Sequence, residues 1–346
     1  MSNLSIAEKA ALLRSIAEDI QGNERIEELL EKKPNFRAYN GFEPSGRMHI
    51  AQALVTAINC NAITKAGGTM VLYIADLFAQ LNHKMGGDMK KIHDVGRYFV
   101  EVFKACGMDL DHVEIIWTAD FIKEHQREYF ELVHDISSFA TLSRIKRTVT
   151  AMGRTEGDKL SLSQLLYPCM QATDVFMLDV DICQLGVDQR KVNMLAIEYA
   201  NHVKRPSPII LSHHMLMGLK GKAHKMSKSD PMSAIFIEDE KDRIVEKMMN
   251  AYNPPEAAEN PLFEYIKYII LRKLGSITIN GKEYTKIEDV EADFPSFFKD
   301  DEAKKGLVMA VAEAVDACIQ PVRDHFKSSP ELIELLKRVE EYRVTR

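Results

Sequence analysis

The sequence predicts an α/β fold built on a parallel sheet, followed by a mostly α-helical C-terminal region. Strand-length and helix-length apolar patterns alternate between residues 36 and 234, the signature of successive βαβ units. Residues 69–75 form an almost unbroken apolar run, as a central parallel strand covered on both faces requires. Beyond residue 235 the periodicity becomes helical, at 238–252, 262–274, 305–327 and 330–342.

The elements follow in order. Residues 4–33 place Leu12, Leu13, Ile16, Ile20, Ile26, Leu29 and Leu30 at helical spacing. This predicts an N-terminal helical segment, residues 1–35, packed on the α/β region. Residues 36–42 read as a strand running into the turn Glu43-Pro44-Ser45-Gly46. A helix over 49–66 stops at Gly67-Gly68, and another over 88–106 stops at Gly107. Residues 113–117 read as a strand, 120–140 and 163–178 as helical, 182–185 as a strand and 187–202 as a helix. Gly275, Asn280 and Gly281 interrupt the later helices and predict a hairpin or loop. The expected units are therefore 1–35, 36–234 and 235–346.

Composition excludes several classes. Hydrophobic residues make 46% and charged residues 28% of the 346, the balance of a chain with a large apolar core. No apolar run approaches the ~18 residues of a membrane span. The N-terminal stretch carries Glu8, Glu18, Asp19, Glu24, Glu27, Glu28 and Glu31, which fits neither a secretory signal nor a transit peptide. The expected location is the cytoplasm, with no membrane partner. The five cysteines are odd in number and widely spaced, with no Cys-x-x-Cys. Neither a zinc site nor a disulfide framework is expected. The net charge of −6 leaves nucleic-acid binding to a local basic strip.

Three constellations could carry chemistry. Residues 225–230 read Lys225-Met226-Ser227-Lys228-Ser229-Asp230, shortly after Gly218 and Gly221. Two ammonium groups on such a loop can meet a triphosphate as its charge develops; a solvated surface loop is the alternative. Residues 39–52 form a strand, a glycine-bearing turn and a helix start. That arrangement directs backbone N–H groups and a positive dipole at phosphate, and His49 and Gln52 share one helical face. Tyr167, Gln171 and Asp174 stand at i, i+4 and i+7 in an otherwise apolar helix. They form a polar stripe that faces either solvent or a ligand.

The Lys225–Asp230 stretch resembles the KMSKS loop of class I aminoacyl-tRNA synthetases, and His49-Ile50-Ala51-Gln52 resembles their HIGH motif. Ala51 and Gln52 depart from that motif's glycine and second histidine. Gly41-Phe42-Glu43-Pro44-Ser45-Gly46, the Tyr167–Asp174 stripe and Gly186-Val187-Asp188-Gln189-Arg190-Lys191 resemble tyrosyl-tRNA synthetases of archaeal and eukaryotic type. The resemblance implies a Rossmann-like catalytic domain (36–234) and a helical anticodon-binding domain (235–346). The implied activity is ligation of L-tyrosine to tRNA(Tyr) with ATP. The alternatives are the related tryptophanyl enzyme and a synthetase-like binding protein without catalysis.

By the same resemblance His49, Gln52, Lys225 and Lys228 form the catalytic set. Tyr167, Gln171 and Gln189 hold the substrate's ammonium, and Tyr39 and Asp174 meet its phenol. Gly41, Glu43, Gly46, His49, Gly186, Asp188, Met226, Ser227 and Lys228 fall in the ATP segments. Mg²⁺ is expected to arrive with ATP, with no protein-held metal, no zinc and no tightly bound cofactor. Arg144, Lys146, Arg147 and Arg154 form a basic segment that either meets acceptor-stem phosphates or is merely exposed. A homodimer is implied. The family's anticodon-reading aspartate has no counterpart at the matching position, which is Gly306.

Overall fold

The computed structural model describes residues 4–154, 157–226 and 230–343. Its centre is a six-stranded sheet of β1 (Asp19–Gln21), β2 (Arg37–Phe42), β3 (Thr69–Ile74), β4 (Val113–Trp117), β5 (Ile182–Gly186) and β6 (Ile209–His213). The spatial order is β1-β6-β5-β2-β3-β4. β2 to β6 run parallel, and β1 closes the edge antiparallel to β6. The chain leaves β2 toward β3 and β4, then returns to the other side of β2 with β5. A crevice therefore opens beyond the carboxyl ends of β2 and β5, where such sheets bind ligands.

The strands alternate as a two-faced buried sheet must. Ala38, Met70, Leu72, Ile182 and Leu211 point into one apolar core, and Tyr39, Val71, Tyr73, Cys183 and Ile210 into the other. The first core runs without a break from the helix Ile6–Ser15 through Leu54 and Ile63 to Ile244, Val311, Phe326 and Val339. It thus joins the sheet to the helices that follow residue 235. The second core packs the helices Gln126–Phe139, Leu162–Met177 and Arg190–His202 on the opposite face.

Two sequence expectations are corrected. Residues 4–33 are not continuously helical: Ile6–Ser15 and Ile26–Lys32 are helices, and β1 lies between them. Asp19, Ile20 and Gln21 pair with Ser212, Leu211 and Ile210. A partner so distant in sequence supplies the strand's hydrogen bonds, and local periodicity cannot register it. β6 itself was not anticipated, although Pro206-Ser207-Pro208 separates its five residues from the helix Arg190–His202. The expected interruption near 275–281 is a hairpin, Ile277–Ile279 paired with Lys282–Tyr284.

The long C-terminal helix begins earlier than its periodicity suggested, spanning Asp301–Lys327 with Asp300 as its N-cap. Gly306 lies inside it against that hairpin. A Cβ there would stand 1.8 Å from Asn280 Oδ1, while Asn280 Nδ2 donates to the Ala303 carbonyl at 3.0 Å. Glycine at this position is a packing requirement.

Candidate active site

The polar stripe does not face bulk water. Tyr167, Gln171 and Asp174 are 7%, 8% and 1% exposed, and all three line a cavity of about 820 Å³ at the β2/β5 crevice. A capping box between Ser161 and Gln164 starts their helix one turn before Tyr167. The same cavity is lined by Tyr39, Gly41, Glu43, His49, Gln52, Gly186, Asp188, Gln189 and Met226. Residues from separated stretches of sequence thus share one wall-to-wall space.

Hydrogen-bond directions define what each group offers. Tyr167 donates its hydroxyl proton to Glu43 Oε1, so its remaining lone pairs face the cavity as acceptors. Glu43 is held by Asn82 Nδ2 at 3.2 Å and approached by Lys84 Nζ at 3.8 Å. Gln189 Nε2 donates to the Ala151 carbonyl at 2.8 Å, and Gln171 Nε2 donates to Gln189 Oε1 at 3.0 Å. That chain leaves Gln171 Oε1 buried without a full hydrogen bond. Three oxygen acceptors, on Tyr167, Gln171 and Glu43, therefore gather where an ammonium group would be satisfied.

At the inner end lies Asp174. Its Oδ1 accepts from the hydroxyls of Tyr73 at 3.0 Å and Tyr129 at 2.8 Å. Burial pushes its carboxyl well above the usual carboxylate range, and the two phenols act in the opposite sense. Burial also pushes the Tyr39 hydroxyl well up, with the charges of Cys183 and Asp174 adding to it and the Gln171 amide acting the other way. The Tyr39 hydroxyl is buried with no full hydrogen bond. Tyr73 lines the cavity and Tyr129 backs Asp174 from outside that lining, and sequence reading missed both. Tyr73 sits in the apolar run of β3 and Tyr129 on an amphipathic helix, so both read as ordinary core.

The turn after β2 forms the outer wall. Gly46 takes φ +118°, which favours glycine. Behind it the backbone pairs with the segment after the lysine loop: Ile50 N–H donates to the Ile235 carbonyl at 2.8 Å and Ile237 N–H to Met48 O at 3.0 Å. The helix opens with a π-turn, Ala51–Val55, a geometry frequent at functional sites. Gln52 N–H donates to His49 Nδ1 at 3.2 Å. This fixes the tautomer with the ring proton on Nε2, making that nitrogen a donor. Gln52 Oε1 is buried without a hydrogen bond. A Cβ at Gly186 would meet Asp188 Oδ1 at 2.5 Å and Met215 Sδ at 2.6 Å, so a larger residue there would displace both side chains.

Glu238 lies under this turn, its side chain 6% exposed. Tyr98 donates to it at 3.0 Å, and Arg47 stands 3.1 Å away while stacking on Phe236. Burial prevails over Arg47 and raises the Glu238 carboxyl to about 7 from 4.5. The folded state therefore binds this proton more tightly than the unfolded chain. The stability it confers is full below pH 4.5 and is lost as pH rises through 7. Replacing Glu238 by glutamine removes this dependence. Urea unfolding should show the variant gaining on the natural protein by up to ~3 kcal/mol between pH 4.5 and 8. Parallel stability curves would contradict it.

The lysine loop is only partly described. A short hairpin pairs Met217–Gly218 with Gly221–Lys225, and Lys220 pairs with Asp230 at 2.6 Å. Met226 reaches the cavity. The Lys225 side chain, Ser227 and Lys228 lie outside the described residues. The basic segment divides. Arg144 makes a two-pronged pair with Glu198 at 2.8 and 2.9 Å, and Arg154 turns inward onto Asn82 at 3.2 Å. Lys146 and Arg147 are exposed.

The comparisons agree with this geometry. A family model described as tRNA synthetases class I (W and Y) matches residues 31–316. A relative from Arabidopsis thaliana, the cytoplasmic tyrosine–tRNA ligase 1, is 49% identical over 99% of this chain and 90% of its own. A second, ligase 2 of the same plant, is 48% identical over 98% of this chain, which spans 46% of it. A solved Leishmania major tyrosyl-tRNA synthetase, in complex with tyrosinol, superposes with a TM-score of 0.93 at 44% identity. It covers 98% of this chain and 61% of its own. By fold, site and likeness over most of its length, the chain belongs to the class I tRNA synthetases of the tryptophan and tyrosine branch.

Proposed function

We propose that the chain is a tyrosine–tRNA ligase that activates L-tyrosine with ATP and transfers the tyrosyl group to the 3′ end of tRNA(Tyr). The observation that carries the choice of amino acid is Asp174, a buried carboxylate at the closed end of the cavity facing the Tyr39 hydroxyl. A phenol O–H can donate to the one and accept from the other. An indole N–H can only donate. The acceptors on Tyr167 and Gln171, with Gln189 orienting Gln171, hold the ammonium at the open end.

The tyrosine carboxylate then attacks the α-phosphorus of ATP. A P–O bond forms to the carboxylate oxygen, the α–β bridging P–O bond breaks, and pyrophosphate leaves. In the second step a ribose hydroxyl of the terminal tRNA adenosine attacks the acyl carbon, and AMP leaves. No side chain need become covalently attached. Catalysis lies in positioning and in donors aimed at developing phosphate charge. His49 Nε2–H is one such donor, and Lys225 and Lys228 are the others. Mg²⁺ would come as part of the ATP complex and would supply charge neutralisation at the phosphates. Gly41, Glu43, Gly186 and Asp188, which line the cavity, are read as bordering the nucleotide, with Gln52 beside His49; Gly46 shapes the turn and is not part of that lining.

Gly41 offers a specific check. A Cβ there meets only the Tyr39 ring at 3.8 Å and the Tyr73 carbonyl at 3.9 Å, so the fold admits alanine, while the new methyl projects into the ligand's space. Gly41→Ala should melt within a few degrees of the natural protein yet raise the KM for ATP or tyrosine by ~10-fold. Unchanged KM values would remove Gly41 from the site.

Residues 235–346 are read as the anticodon-binding domain, 36–234 as the catalytic domain and 1–35 as the segment packed on it. Lys146 and Arg147 are the exposed candidates for acceptor-stem phosphate. A homodimer is proposed from the resemblance to the family. Among the described residues no helix is long and apolar enough to cross a membrane, and a cytoplasmic location is proposed. The function is tested by incubating the protein with ATP, labelled pyrophosphate and tyrosine, tryptophan or phenylalanine. Label should enter ATP with tyrosine alone; label with tryptophan alone would overturn the assignment.

A further inference from the structure

We propose that Tyr73 and Tyr129 are positioning residues that clamp Asp174 and thereby set the preference for tyrosine over phenylalanine. The inference rests on the proposed tyrosine activity and extends it to two residues that no sequence motif marks.

The clamp is built from three elements. Tyr73 stands on β3, Tyr129 on the helix Gln126–Phe139 and Asp174 on the helix Leu162–Met177. Tyr73, Tyr129 and Asp174 are each no more than 1% exposed. Both hydroxyls donate to the same oxygen, Oδ1, at 3.0 and 2.8 Å. The Tyr129 hydroxyl also lies 3.3 Å from the Met170 carbonyl. It has one proton, and the shorter contact to a carboxylate takes it. Tyr73 is fixed by an edge-on contact with Phe121, centroids 6.2 Å apart.

Two bonds to one oxygen do two things. They orient the carboxylate plane, and they stabilise the ionised form where burial opposes it. Oδ2 receives no hydrogen bond among the described residues and is left for the substrate. A bound tyrosine donates its phenolic proton to Oδ2. A bound phenylalanine presents only a ring edge and leaves that charge unpaired, which is the costly case. Without the clamp the carboxyl group is free to turn and Oδ2 is no longer held where a phenol would meet it, so the distinction between tyrosine and phenylalanine weakens.

Tyr73→Phe, Tyr129→Phe and the double variant test this, since each keeps the ring and removes one hydroxyl. Pyrophosphate exchange is measured with tyrosine and with phenylalanine, alongside the KM for ATP and the melting temperature. Each single variant should lower the tyrosine-to-phenylalanine ratio of kcat/KM by ~10-fold, and the double variant by more. The loss should appear mainly in the KM for tyrosine, with the KM for ATP within about twofold. A purely structural role lowers the melting temperature and both activities together and leaves the ratio unchanged. That result would overturn the proposal, and Tyr73→Phe alone suffices to show it if the double variant does not fold. Failure of the natural protein to exchange with tyrosine would instead refute the tyrosine reading itself.

Discussion

Replacing Asp174 by asparagine should cut kcat/KM for tyrosine in adenylate formation by ~100-fold or more, while the KM for ATP stays within about threefold. Asparagine keeps the shape and one acceptor, so Tyr73 and Tyr129 retain a partner and the core is not opened. What is lost is the charge that meets the substrate's phenol. A hydrogen bond to a charged group contributes about 1.5–3 kcal/mol, and ~2.7 kcal/mol corresponds to the hundredfold fall. Because the proposed function gives Asp174 to the phenol and other residues of the cavity to the nucleotide, the two KM values should part. Steady-state exchange with each substrate varied in turn measures both. Equal losses for tyrosine and ATP would indicate a collapsed site and remove Asp174 from phenol recognition.

Lys228→Ala should lower the single-turnover rate of adenylate formation by ~10²–10³-fold and leave tyrosine affinity nearly unchanged. The position lies outside the described residues, so this expectation rests on the Lys225–Asp230 motif and on the hairpin that delivers it. The base of that hairpin is anchored beside the cavity. Met217 N–H donates to Glu264 at 2.7 Å, and the Leu219 N–H to the Ser233 carbonyl at 2.8 Å. A group that meets pyrophosphate only as charge develops acts on the rate and not on ground-state binding. Rapid-quench measurement of adenylate beside a tyrosine titration separates the two. A variant that forms adenylate at the normal rate would remove Lys228 from catalysis.

The arrangement of charges explains why the basic segment reads ambiguously from sequence. Arg144, Lys146, Arg147 and Arg154 look alike in a string of residues. In the fold Arg144 is committed to Glu198, 54 positions away, and Arg154 to Asn82, 72 positions away. Of the four, Lys146 and Arg147 remain exposed. Which cations are spent on structure depends on contacts between distant segments, which periodicity does not encode.

Much of the fold was legible because its signals are local. β2 to β5 announce themselves as short apolar runs, β3 and β4 directly after glycine-stopped helices, and the hydrophobic period alone separates them from the helical region after 235. The stripe Tyr167–Gln171–Asp174 was legible for the same reason, since helical spacing puts three polar groups on one face. β1 and β6 were not legible. A three-residue edge strand exists only because a distant chain completes its hydrogen bonds.

By itself, then, the sequence determined the α/β order, the polar stripe, the glycine-bearing turn with His49 and the lysine motif, each written within a short window of residues. The tertiary structure alone decided that the stripe faces a cavity and that β2 and β5 meet at its floor. It also decided that Tyr73 and Tyr129, outwardly core residues, converge on Asp174. The physical reason is that burial and hydrogen-bond partnership belong to pairs of distant segments. A phenol in an apolar run is core or site according to what the fold sets opposite it.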